Sequence, residues 1–313
     1  MILKNAVRAT TALAILVAVL LVGACSGGTG NDTPTSDGIA SDLFRLERDV
    51  QALEDSKAIK RLQRAYGYYV DKGMGDRIGD LFSDRDDASV EIGGGGVYVG
   101  KDRISEFYED AASPLSDGQL YNHMVLQGVV HIDENQTTAK GRWRGWIQTG
   151  THGESAEWAE GPYENEYIKE DGVWKFHKVH WYTIVMSPYD PGWHQSPTAM
   201  PGPSEDNPPD LPPTEVYQSY PSAFLPPYHY ENPVTGTGPG TITVLADGAP
   251  VPSLGDAWSR LRAIEARSEG VSDVNKIENL QRSYGYYLDK MLWDDVTDLF
   301  SDDATMEVGP SGV

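Results

Sequence analysis

Leu43, Leu46, Val50 and Leu53 recur at spacings of three and four, the mark of an amphipathic helix. Ile59, Leu62, Tyr66, Tyr69 and Gly73 continue a similar stripe. A second helix is predicted from Asp76 to Phe82, with Ile78, Leu81 and Phe82 inward. Val90-Glu91-Ile92 reads as a short strand, Gly93–Gly96 as a loop, and Val97-Tyr98-Val99 as a strand that can pair back. A third helix spans Lys101 to Ala112 and buries Ile104, Phe107 and Tyr108. The period then changes to two. His123–His131, Thr137–Thr149, Trp158–Lys169 and Val173–Met186 are strand-like runs. Turns at Asp133-Glu134-Asn135, Gly150–Gly153 and Glu170-Asp171-Gly172 separate them. Helices followed by an antiparallel meander predict an α+β fold, a curved sheet wrapped round the helices with a hollow at its open end.

The stretch 62–84 (LQRAYGYYVDKGMGDRIGDLFSD) recurs at 280–302 (LQRSYGYYLDKMLWDDVTDLFSD), identical at 15 of 23 positions without a gap. The chain is therefore expected to hold one complete unit and the truncated start of a second, Val313 aligning with Val97. Between them, residues 187–255 contain 16 of the 20 prolines, interleaved with aromatic residues. That density excludes regular helix or central strand. Two readings stand, an extended arm lying on a domain surface or a semi-rigid linker.

The N-terminus has its own grammar. Lys4 and Arg8 precede an uncharged apolar run from Ala9 to Val22, and Val22-Gly23-Ala24 leads into Cys25, the sole cysteine. This resembles a lipoprotein signal, with Cys25 as the lipidated first residue of a mature, envelope-anchored chain. A plain secretory signal or a short anchor is the alternative. One cysteine excludes an internal disulfide. The expected organisation is a signal at 1–25, a flexible tether at 26–41, a domain at 42–186, the proline-rich arm at 187–255, and the second unit's start at 256–313.

Charge narrows the partners. With 25 basic against 47 acidic residues, a net charge of −22, nucleic-acid binding is not expected. His177 and His180 alternate to opposite faces of a strand, and the other histidines show no ligand spacing, so no metal is expected. Gly93–Gly96 lacks the Lys-Ser/Thr of a phosphate loop.

Tyr66-x-x-x-x-Asp71, Asp80-Leu81-Phe82-Ser83-Asp84 and Asn165-Glu166-Tyr167 followed by Asp171-Gly172-Val173-Trp174-Lys175-Phe176 stand in a telling order. Residues 42–186 resemble the SnoaL-like members of the NTF2-like superfamily, in the branch of dehydrochlorinases and scytalone dehydratases. The resemblance implies an α+β cone around a pocket for a small apolar molecule, no cofactor, and homo-oligomers formed through the sheet. It also implies that Asp71 orients His123, which takes a proton from substrate as a lyase, dehydratase or isomerase would. A neutral imidazole suits that task, and a carboxylate steadies the cation formed. Tyr66, Tyr69, Trp143 and Trp146 are candidate walls or donors.

The resemblance further implies a basic residue from the last strand inside the pocket. Lys178 and His180 share one parity, Val179 and Trp181 the other, so a one-residue slip exchanges cation for aliphatic wall. Helical periodicity, by contrast, turns Asp71 about 180° from the Leu62–Tyr66–Tyr69 stripe, toward solvent, and His123 could be a satisfied sheet histidine. A non-catalytic ligand-binding or scaffold module on the same fold is the competing function.

Overall fold

The computed structural model describes residues 36–112, 114–232 and 254–307. The signal-like segment with Cys25 and the first part of the expected tether lie outside the described residues. The elements are α1 (Ser36–Asp71), α2 (Gly75–Ile78) with a 3-10 turn at Gly79–Leu81, β1 (Ser89–Ile92), β2 (Val97–Val99) and α3 (Lys101–Ala111). The meander follows as β3 (Gln119–Ile132), β4 (Thr138–Thr151), β5 (Ser155–Glu170), β6 (Val173–Trp181) and β7 (Val185–Pro188). Beyond the arm come α4 (Leu254–Asp289) and α5 (Trp293–Thr297). Helix thus begins at Ser36, inside the stretch expected as tether.

The sheet runs β2-β1-β6-β5-β4-β3, antiparallel except for the parallel β1–β6 pair. Alternation sends Trp143 and Ile147 of β4 and Tyr163 and Tyr167 of β5 into the concave core, while on β6 an extra residue at His177 lets both Phe176 and Val179 face inward. Ile59, Tyr66, Ile78 and Phe82, each no more than 1 % exposed, fill the concavity from the helical side. Each contributes about 1.5–3 kcal/mol of burial. This is the cone expected from the pattern of the chain.

The β5–β6 hairpin closes on Asp171 and Gly172, both at positive φ, the backbone that an Asp-Gly two-residue turn demands. The expected single last strand is broken. β6 pairs one half of β5, and β7 pairs the other half after the chain crosses at 182–184. Gly161 permits that crossing, because a Cβ there would lie 1.8 Å from the Tyr182 carbonyl oxygen.

Residues 189–232 run without regular helix or strand along the sheet. Backbone bonds join Val97 to Leu211, and Glu91 accepts from the Thr214 N–H (2.9 Å) and hydroxyl (2.7 Å). Tyr217 stacks on Phe224 at 4.1 Å, and the Arg142 guanidinium sits 3.8 Å over the Tyr228 ring. Chain that cannot form ladders is held instead by side-chain and isolated backbone bonds.

α1 and α4 are both 36 residues long and end at the aspartates, Asp71 and Asp289, that the repeat aligns. They lie parallel. Leu43 and Val50 meet Ile264 and Leu261, while Glu47–Arg260 (2.6 Å) and Glu54–Arg267 (3.0 Å) advance together by one heptad.

Candidate functional site

The site is built where the C-terminus of α1 meets β3. Gly67 makes the approach close: a Cβ there would sit 3.0 Å from Val125 and 3.5 Å from the His123 carbonyl. One turn on, Asp71 occupies the same helix face and is buried. Its Oδ1 accepts the His123 backbone N–H at 2.8 Å, and its Oδ2 lies 3.0 Å from Lys72 Nζ. Helical periodicity had turned Asp71 to solvent. The face against β3 is marked by a glycine, which carries no hydrophobic signal, so the visible stripe pointed elsewhere.

His123 is buried on the concave face. Its Nε2 is 2.9 Å from the Tyr163 hydroxyl, and its Nδ1 has no partner. The bond expected between the Asp71 carboxylate and the imidazole is therefore not the one formed; the carboxylate holds the strand, and a phenol holds the ring. Burial lowers the His123 pKa to about 4, against a smaller upward pull from Asp71. Burial also drives the Tyr163 phenol well above its ordinary range, so it stays neutral. When Nε2 carries the proton and donates to Tyr163, Nδ1 presents a bare lone pair; the alternative tautomer leaves a buried N–H unmet.

Tyr66 is central to the same cluster. Its hydroxyl is 2.9 Å from that of Tyr108, and its ring meets His123, Tyr163 and Phe176 edge-on. Tyr69 is half-buried at the rim. Trp143 is buried and donates to the Tyr167 hydroxyl at 2.8 Å, which in turn donates to Gln63 Oε1 at 2.7 Å. Asn165 donates to the same oxygen at 2.9 Å.

Gln63 and Tyr163 were not singled out from the sequence, and Tyr108 and Asn165 stood there only as a buried helix position and part of a motif, without a role in the site. Gln63 had a signal: it lies four residues from Ile59 and three from Tyr66, a polar side chain on a buried face.

Three candidates point away. Trp146 alternates to the outer face, where its ring is 5.4 Å from that of Trp158. Lys178 is exposed beside Glu166 at 3.4 Å, and His180 faces outward, 3.6 Å from Glu91 and stacked on Tyr182 at 3.9 Å. Val179 and Trp181 take the inward register. No pocket cation comes from the last strand. A bulge between Glu166 and Tyr167 shifts the pairing of β5 with β6 just there.

Two cavities among the described residues lie away from Asp71 and His123. One of about 380 Å³ lies between the outer face of β3–β5 and the arm; the other, of about 240 Å³, lies between α1 and α4. The concave interior at His123 is packed with aromatic side chains.

The sequence pattern of the SnoaL-like domain matches residues 51–180 and 269–313, more than half of the chain. The chain belongs to the SnoaL-like family. Similar solved structures include a proposed scytalone dehydratase from Novosphingobium aromaticivorans, 19% identical over 50% of this chain and 96% of that one, with a TM-score of 0.40. A hexachlorocyclohexane dehydrochlorinase from Novosphingobium barchaimii LL02 is 22% identical over 45% of this chain and 93% of its own (TM-score 0.39). An NTF2-like protein with a cystatin-like fold from Novosphingobium aromaticivorans is 17% identical over 50% and 92% (TM-score 0.36). No curated protein matches this SnoaL-like chain.

Proposed function

We propose that this SnoaL-like domain is a cofactor-independent lyase, dehydratase or isomerase that removes a proton from a small apolar molecule. The observation that carries the reading is the buried, unpartnered Nδ1 of His123, a residue whose backbone N–H is held by the Asp71 carboxylate. His123 is neutral at pH 7 and takes the proton. Asp71 fixes the backbone of the strand and offsets the charge of the imidazolium. Tyr163 holds Nε2 and so selects the tautomer. Small cyclic substrates would be incubated with the full chain and with His123→Ala. Loss of turnover by about 100-fold or more is expected for a general base; equal turnover would end the proposal.

A second reading is a non-catalytic ligand-binding or scaffold module, favoured by the aromatic packing that fills the concavity at His123. Nδ1 is buried, so a reactant reaches it on this fold only if the side chains packed around His123 move. Binding of an apolar probe that leaves the chemical shifts of His123 unchanged would favour this second reading.

The N-terminal pattern supports an envelope lipoprotein anchored through Cys25. Labelling of cells with palmitate should mark the protein and fail in Cys25→Ser; label retained in that variant would place the attachment elsewhere. We read residues 256–313 as the opening of a second SnoaL-like unit, supported by the shared length and ending of α1 and α4.

A further inference from the structure

We propose that the crevice between α1 and α4 is an anion-binding site that takes a compact phosphate or diphosphate group. Its cavity, about 240 Å³, is lined on the α1 side by Lys57, Lys60, Arg61 and Arg64, and across the crevice by Arg267. Only Glu54 and Glu278 bring negative charge to the lining, an excess of 5 − 2 = 3 positive charges. That excess stands in a chain whose net charge is −22.

The two carboxylates are already engaged. Glu54 holds Arg267 at 3.0 Å, and Glu278 is shared by Arg64 at 3.2 Å, Arg282 at 3.4 Å and Lys57 at 3.9 Å. Lys57 also donates to Asn275 Oδ1 at 2.5 Å. Lys60 and Arg61 have no hydrogen-bond or ion-pair partner among the described residues, so their donors are free.

Helix energetics sharpen the point. The four α1 cations fall at i, i+3, i+4 and i+7, which places like charges against each other in adjacent turns. Such pairs destabilise a helix. The repeat shows that three of the four positions do not require a cation: Asn275, Glu278 and Asn279 stand where α1 has Lys57, Lys60 and Arg61, while Arg282 keeps the charge of Arg64.

A bound anion relieves the repulsion. Arginine offers planar forks matched to phosphate oxygens, and lysine a mobile point charge. Gly270 lines the α4 side, and a Cβ there would meet nothing within 4 Å, so the crevice is open at that point. The cavity is short, and the surrounding acidic surface repels an extended polyanion, so a compact group is the fitting occupant. Either a soluble phosphate compound or the phosphate of a lipid headgroup supplies this chemistry.

The test is calorimetric titration of the full chain with inorganic diphosphate at low ionic strength, beside flotation with phosphatidylglycerol and phosphatidylcholine vesicles. The comparison proteins are Lys60→Ala/Arg61→Ala and Arg45→Ala/Arg48→Ala, which lose the same charge from the same helix. Expected are binding that weakens with salt, a Kd raised about tenfold per cation removed from the crevice, and wild-type binding in the Arg45/Arg48 pair. Diphosphate binding assigns a soluble phosphate; binding to the anionic vesicles alone assigns a headgroup. No binding to either, or equal loss in both double variants, overturns the proposal.

Discussion

His123 and His180 make this protein sensitive to acid in a defined window. Burial lowers both imidazoles from the ordinary 6.5 to about 4. Between those values the unfolded chain binds protons that the folded chain refuses. Stability is therefore complete above pH 6.5 and falls as pH drops toward 4, by about 3 kcal/mol for His123. Thermal unfolding across that range should show the slope, and His123→Gln should flatten it; an unchanged slope would mean that other groups carry the acid response.

Asp71→Asn separates the two tasks of that carboxylate. The amide oxygen still accepts the His123 N–H, so stability should fall by about 1 kcal/mol or less. The lost charge should lower the His123 pKa further, visible in an NMR titration of the ring. Of these roles, only the association of Asp71 with His123 was legible beforehand, and only through the family resemblance, since helical periodicity turned Asp71 to solvent. That the carboxylate takes the backbone and Tyr163 takes the ring depends on distances no spacing rule encodes.

The individual helices and strands were written plainly in the periodicities, with two instructive departures. The run Val173–Met186 alternates well enough to be one strand. Yet it breaks at 182–184, because β5 accepts two partners on one edge. The cause lies 21 residues away in sequence, at Gly161, where the Tyr182 carbonyl crosses. Gly161→Ala should cost about 3 kcal/mol or more through a backbone clash that no rotamer relieves, measured as a lowered urea midpoint. The second departure is α1, whose face against β3 is marked by Gly67 and closed by Asp71. Apolar counting cannot see a face built from the absence of a side chain.

Across the whole molecule, the arm decides how much of the sheet's outer face is free. Glu91 is buried and holds Thr214 through two hydrogen bonds. Glu91→Ala should release this clasp, costing about 1.5–3 kcal/mol and speeding protease cleavage near 201–215. Cleavage at the wild-type rate would show that Tyr217, Phe224 and Tyr228 hold the arm without it. The same arm lies over residues of β4 and β5, part of the sheet through which an oligomer was expected to form. Subunits that pair by the sheet must then use what the arm leaves open.

The α+β class, the order of elements, the Asp-Gly hairpin and the family were determined by the sequence alone, because each rests on local period, turn chemistry or motif order. Which way Lys178, His180 and Trp146 face, which group holds the His123 ring, and where the basic stripe of α1 finds its counterpart were decided only in the tertiary structure. A bulge, a glycine contact or a helix pairing inverts a side chain's environment without altering the pattern that encodes its element.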